Sequence, residues 1–157
     1  MSPLTDIYAF LQISDRISTA GQPQVDQFPV IQATGHTTLI NLAHPDAPGA
    51  IAHEADLVAA SGLQYIHIPV LWQGPKIQDA LCFFEAMNHH QEETVFIHCI
   101  ANKRVSAFIY LYRVLCLGTD AATARQTLEQ IWRPNAIWQS YIDGMVQQFS
   151  PRTAPAL

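Results

Sequence analysis

Two hydrophobic periods run along this chain, and the points where one gives way to the other divide it into elements. Leu4 to Leu11 has the spacing of a short helix capped by Ser2 or Thr5, and Arg16 to Thr19 that of a short strand entering the turn AGQP, residues 20–23. Val25, Phe28, Ile31 and Gln32 recur at roughly helical spacing between Pro23 and Thr34, with Pro29 confined to the first turn or kinking it, and Gly35 ends the segment. His36 to Leu42 (HTTLINL) has strand composition and empties into the loop AHPDAPG, residues 43–49. Ala50 to Ser61 then reads as a helix stopped by Gly62, with Glu54 and Asp56 on its polar side.

Leu63 to Val70 is the next strand, followed by the loop LWQGPK, residues 71–76. Pro75 opens a helix to about His89 whose core stripe is expected at Ile77, Leu81, Phe84 and Met87. Thr94 to Cys99 (TVFIHC) reads as a buried strand and Val105 to Leu117 as a central helix. Strand and helix alternate three times from His36 onward, which implies parallel strands with ligands bound beyond their carboxyl ends. Asp120 to Ile131 and Asn135 to Phe149 add two helices around WRPNA, so the last third is all-helical. The expected fold is α/β, a central parallel-type sheet of about four to five strands flanked by helices.

Composition narrows the function. With 157 residues, 49% hydrophobic and 13% charged, the chain is expected to form one domain with a core over about residues 16–149. A net charge of -5 and only eight scattered Lys and Arg argue against nucleic acid or an anionic membrane as partner. The first fifteen residues lack a basic stretch and an unbroken apolar run, so a cytoplasmic location is expected. Three cysteines suit reduced thiols, with Cys82 and Cys116 read as core residues and either of them an open candidate for a protective disulfide with Cys99. His89 and His90 fall at a helix end without ligand spacing, and no metal or cofactor is expected.

The chemistry concentrates in HCIANKRVS, residues 98–106, where a buried strand delivers Cys99 into a short turn at a helix start. Backbone N–H groups and the helix dipole favour a thiolate and bind anions there. The segment Ile100, Ala101, Asn102 and Lys103 forms a candidate cradle for a tetrahedral oxyanion, with Arg104 gripping two of its oxygens. Asn102 suits the left-handed conformation that a tight cradle demands. A bare core cysteine is the other reading of Cys99.

HCIANKRVS resembles the signature loop of the cysteine-based protein phosphatases, above all the dual-specificity type. RISTAGQP, TTLINL and the helices around RPN resemble a bacterial subgroup, the beta-lactamase-hydrolase-like phosphatases, so the likeness spans about Arg16 to Phe149. The resemblance implies Cys99 as nucleophile, Arg104 as phosphate clamp, residues 100–103 as cradle, His98 as the residue ordering the loop, and Ser106 as the hydroxyl assisting thiolate release. It implies a metal-independent phosphomonoester hydrolase acting on a phosphorylated small molecule or protein. Two departures stand out. Four residues rather than the family's five separate Cys99 from Arg104, with Val105 intervening before Ser106. The loop 71–76, where the family carries its acidic proton donor, has no carboxylate. Asp46 and Asp79 are the candidates, Asp79 also reading as a helix-start residue, and a site without an internal acid is the third possibility. Trp72 and Gln73 line the entrance or pack. A rhodanese-like sulfurtransferase carrying a persulfide on Cys99 and a non-catalytic phosphate-binding module are the rival functions.

Overall fold

A computed structural model of the chain describes residues 3–150. Ser2, one of the two expected caps, and residues 151–157 lie outside the described residues. Five strands form one sheet in the order β1-β2-β5-β3-β4: β1 (Leu11–Ser14), β2 (Ile17–Ala20), β3 (Thr38–Ala43), β4 (Gln64–Val70) and β5 (Val95–His98). β2, β5, β3 and β4 are mutually parallel, whereas β1 pairs antiparallel with β2, Leu11 opposite Thr19. Among the described residues six α-helices flank it: α1 (Phe28–Ala33), α2 (Glu54–Ala60), α3 (Ile77–His89), α4 (Lys103–Leu115), α5 (Ala121–Glu129) and α6 (Ala136–Phe149). The α/β class and the helical last third are as expected.

The N-terminal segment corrects the sequence reading. A single 3-10 turn, Leu4–Asp6, replaces the expected helix, and the chain continues into β1. Alternation of Leu11 and Ile13 with Gln12 and Ser14 gives a strand face once β2 lies alongside to complete the ladder. The mixed sheet follows from this hairpin. The next helix is also shorter than expected: Val25–Gln27 is a 3-10 turn with Val25 exposed, and α1 buries Phe28, Val30 and Ile31.

Apolar side chains fill both faces of the sheet. One core joins Ile40, Leu42, Val95 and Ile97 to Phe83, Phe108 and Trp138 of α3, α4 and α6; the other joins Leu39 and Phe96 to Phe28, Ile31 and Val58 of α1 and α2. β5 is buried on both sides, which is why TVFIHC reads as an unbroken apolar run. The expected α3 stripe is partly displaced. Phe84 and Met87 are buried together with Ala80 and Phe83, whereas Leu81 is half-buried and Ile77 is 45% exposed at the first helical position. Cys82 and Cys116 are exposed free thiols rather than core residues. Cys82 shares the outer face of α3 with Glu85, and Cys116 lies just past the far end of α4 from Cys99, about 20 Å along a helix of that length.

Candidate active site

β5 ends at His98 and α4 begins at Lys103, leaving Cys99 to Asn102 as a tight link between strand and helix. Period two along β5 sends Val95 and Ile97 into the core under α4, and Phe96 and His98 toward α1 and α2. Cys99 is only 1% exposed, yet it lies at the carboxyl end of the sheet in the wall of a cleft of about 550 Å³. Asp46, Trp72, Lys103 and Arg104 share that cleft, together with His44, Ile100 and Ala101.

Hydrogen bonds from the surrounding elements hold the loop. The N–H of Gln22 donates to the Ile100 carbonyl at 3.0 Å, and a Cβ on Gly21 would stand 2.5 Å from that same oxygen, so the turn AGQP approaches the loop as only glycine allows. Asn102 adopts the left-handed conformation (φ +64°). Its Nδ2 donates to the Ala9 carbonyl at 2.8 Å and to Thr19 Oγ1 at 3.1 Å, tying the loop to the β1–β2 hairpin. The buried Asn102 Oδ1 has no partner among the described residues. His98 Nδ1 lies 2.9 Å from the Cys99 carbonyl and Nε2 lies 2.8 Å from Glu54 Oε2. The carbonyl only accepts, so Nδ1 carries a proton, and Nε2–H donates to the carboxylate.

The first N–H groups of α4 have no carbonyl partner within the helix, as at any helix start, and they belong to the residues that follow Cys99. Arg104 is buried beside them, its Nη1 donating to the Val70 carbonyl at 2.9 Å and its guanidinium carbon 5.9 Å from the Trp72 ring centre. Trp72 is fixed by Trp138, whose Nε1 donates to its carbonyl at 2.8 Å, and by the Trp132 ring 5.3 Å away. Trp72 thus both lines the entrance and packs.

Glu54 shows what the buried pair does electrostatically. Burial pushes its carboxyl up, but the bond and charge of His98, with hydrogen bonds from Gln22 and Tyr65, outweigh it and hold the group below the usual carboxylate range. Tyr65, buried beside that carboxylate, is pushed up to about 12. The sequence placed Glu54 on a polar helix face. Its signal was indirect: a histidine in an otherwise apolar buried strand needs a partner.

The sequence-derived residues separate into three groups. Cys99, Ile100, Ala101, Lys103, Arg104 and Asp46 meet at the cleft. His98 and Asn102 are not in the cleft wall; their side chains bond to Glu54 and to Ala9 and Thr19. Asp79 and Ser106 are turned to other partners: Asp79 Oδ2 accepts the Lys76 N–H at 2.9 Å at the start of α3, and Ser106 Oγ donates to the Lys103 carbonyl at 2.9 Å while accepting from Trp132 Nε1 at 3.0 Å. His44 reaches the cleft without having been singled out from the sequence.

A sheet with parallel central strands that carries a buried cysteine into a strand-to-helix loop, with an arginine in the first turn of the following helix, is the architecture of the cysteine-based phosphatases. A kinase-associated phosphatase, solved with its catalytic-site cysteine replaced by serine, shares this fold at a TM-score of 0.75 and 12% identity over 86% of this chain and 88% of that one. The chain itself belongs to the DUF442 family: a DUF442 protein from Shewanella putrefaciens, described as a candidate phosphatase, is 32% identical with a TM-score of 0.83, covering 94% of each chain. A beta-lactamase hydrolase-like protein of Agrobacterium fabrum is 34% identical over 124 residues, 76% of this chain. The chain spans about a quarter of the length of the curated relatives it matches. No family model matches it.

Proposed function

We propose that this protein is a metal-independent phosphomonoester hydrolase working through a Cys99 thiophosphate. The observation that carries the reading is that Cys99 and Arg104 open onto one cleft at the start of α4. Helix-start N–H groups and the guanidinium supply the positive field that three phosphoryl oxygens require. The Cys99 thiolate attacks phosphorus in line, the ester oxygen departs with a proton, and water then breaks the sulfur–phosphorus bond to release phosphate and restore the thiolate. The His98–Glu54 pair and the Asn102 tie keep the loop in the anion-binding shape before substrate arrives.

The test is hydrolysis of 4-nitrophenyl phosphate in the presence of EDTA, with trapping of the phosphorylated cysteine by mass spectrometry. The expected result is turnover inhibited by vanadate, a phosphate adduct on Cys99, and loss of both in Cys99→Ser. Undiminished hydrolysis by Cys99→Ser overturns the reading.

One observation favours sulfur transfer as the second reading. Ser106 Oγ is engaged by Lys103 and Trp132, so the hydroxyl that assists thiolate release in the phosphatases is turned to structural partners. A persulfide carrier needs no such hydroxyl and no acid. Thiosulfate-to-cyanide transfer faster than phosphate-ester hydrolysis reverses the order of the two readings.

A further inference from the structure

An alkoxide leaves phosphorus only with a proton on its oxygen, and neither candidate aspartate is built to provide it. Asp79 is bonded to the Lys76 N–H. Asp46 lines the cleft, but its side chain is 91% exposed. His44 is placed differently. It follows the last residue of β3 at the carboxyl end of the sheet and lines the cleft with Cys99 and Arg104. Its Nδ1 accepts the backbone N–H of Asp46 at 3.2 Å, which leaves the neutral ring's proton on Nε2. Nε2 itself has no hydrogen-bond partner among the described residues.

Two hydrogen-bonded turns hold the backbone that carries this ring. Ala47 N–H to His44 carbonyl, 2.9 Å, closes a turn with Pro45 in second place. Ala50 N–H to Ala47 carbonyl, 3.0 Å, closes another with Pro48 and Gly49 at its centre, and Gly49 has the positive φ (+93°) that such a turn asks of its third residue. Asp46 Oδ2 lies 3.7 Å from His44 Nδ1, beside the charge that forms when the ring takes a second proton. A carboxylate next to one imidazole nitrogen while the other is left free of protein partners, on a residue lining the cleft, is an arrangement by which a histidine moves protons.

We propose that His44 is the general acid of this site, with Asp46 as its positioning residue; the proposal rests on the phosphatase reading. In the first step the ring is the imidazolium, its Nδ1–H beside Asp46 Oδ2 in place of the bond from the Asp46 N–H. The Cys99 sulfur bonds to phosphorus as the ester P–O bond breaks, and Nε2 passes its proton to the departing oxygen, leaving neutral imidazole. In the second, neutral Nε2 takes a proton from water while that water's oxygen bonds to phosphorus and the S–P bond breaks. Phosphate leaves, and thiolate and imidazolium are restored.

The test is the single-turnover rate of alcohol release along a series from 2,4-dinitrophenyl through 4-nitrophenyl and phenyl to an alkyl phosphate. His44→Asn retains an acceptor where Nδ1 receives the Asp46 N–H, an arrangement asparagine adopts in turns, and removes Nε2. We expect it to lose about 100-fold on the phenyl and alkyl esters and less than about threefold on the dinitrophenyl ester, whose leaving group needs no proton. Asp46→Asn shows the same selectivity with a smaller loss, about tenfold, because it acts through His44. An equal loss on every ester, an unaffected alkyl ester, or a larger loss in Asp46→Asn than in His44→Asn overturns the assignment while leaving the nucleophile standing. No dinitrophenol release from the wild-type protein overturns the phosphatase reading and this proposal with it. Vanadate binding by each variant confirms that the loop is folded.

Discussion

The imidazole of His98 and the carboxylate of Glu54 meet at 2.8 Å with side chains 0% and 5% exposed, and the ring's other nitrogen holds the Cys99 carbonyl. A pair so far from water is sustained by its partners rather than by solvent: Gln22 Nε2 donates to the second Glu54 oxygen at 2.7 Å. Through this pair α2 is bonded to the loop that carries the cysteine.

Removing one member therefore strands the other. Glu54→Ala is expected to lose about 3 kcal/mol, the cost of leaving a buried charge unpaired, and to lower Tm by about 10 °C in a domain of this size. Glu54→Gln, which keeps a hydrogen-bond acceptor, loses less. Thermal unfolding followed by circular dichroism checks both, and equal Tm values for wild type and Glu54→Ala would show that the pair contributes no net stability.

Gly21 is the second pressure point. A methyl there meets the Ile100 carbonyl, a backbone atom with no rotamer to yield. Gly21→Ala is expected to destabilise by about 1–3 kcal/mol and to weaken vanadate binding because the loop itself must shift. Denaturant melts and vanadate titration give the two readouts; unchanged values in both would mean that the loop relaxes freely.

Asn102 combines a backbone conformation with a side-chain tie, and two substitutions separate them. Asn102→Gly keeps access to positive φ and loses the bonds to Ala9 and Thr19. Asn102→Ala loses both and is expected to be less stable than Asn102→Gly by about 1 kcal/mol. Urea melts of the two variants decide it, and alanine as stable as glycine would show that the left-handed geometry is not limiting.

Stability should fall in two stages on acidification. His36 is buried between Ser18 and Thr34, and burial, opposed by its bond to the Ile31 carbonyl, lowers its pKa from 6.5. The unfolded chain thus takes this proton first, and stability drops as pH falls below 6.5 toward the lower folded value. Glu93 is held down to about 2 by the hydroxyl of Thr37, then by His90 and Thr38, and Glu54 also lies below its ordinary value. Depressed carboxylates contribute fully above about 4.5 and lose that contribution as pH falls through their folded values. A Tm profile from pH 8 to 3 is expected to lose its upper step in His36→Gln and part of its lower step in Glu93→Gln. A profile flat between pH 7 and 5 would contradict the first step.

Local pattern carried much of this structure because the main elements are long or strongly apolar. α3 runs from Ile77 to His89 as Pro75 and the helical spacing indicated, and β5 with α4 matches the run from TVFIHC into the central helix. β1 was missed because Leu4, Tyr8 and Leu11 repeat at helical spacing, and four residues of alternation become a strand only against β2. The buried face of α3 was partly misjudged, and Cys82 with it, because periodicity defines a stripe while the sheet decides which neighbouring residues complete it.

At the loop, the sequence alone determined the order strand, cysteine, four residues, arginine and helix, since each is a local property of residues 94–117. It also offered Asp46 and Asp79 as proton donors, with a site lacking an internal acid as the third possibility. Only the tertiary structure decided that Arg104 faces the cleft while Ser106 turns to Trp132, that Asp79 caps α3, that Glu54 lies beneath His98, and that His44 stands in the wall beside Cys99. The reason is distance along the chain. Forty-four residues separate Glu54 from His98, and only the parallel pairing of β3 with β5 brings His44 and Cys99 to the same end of the sheet.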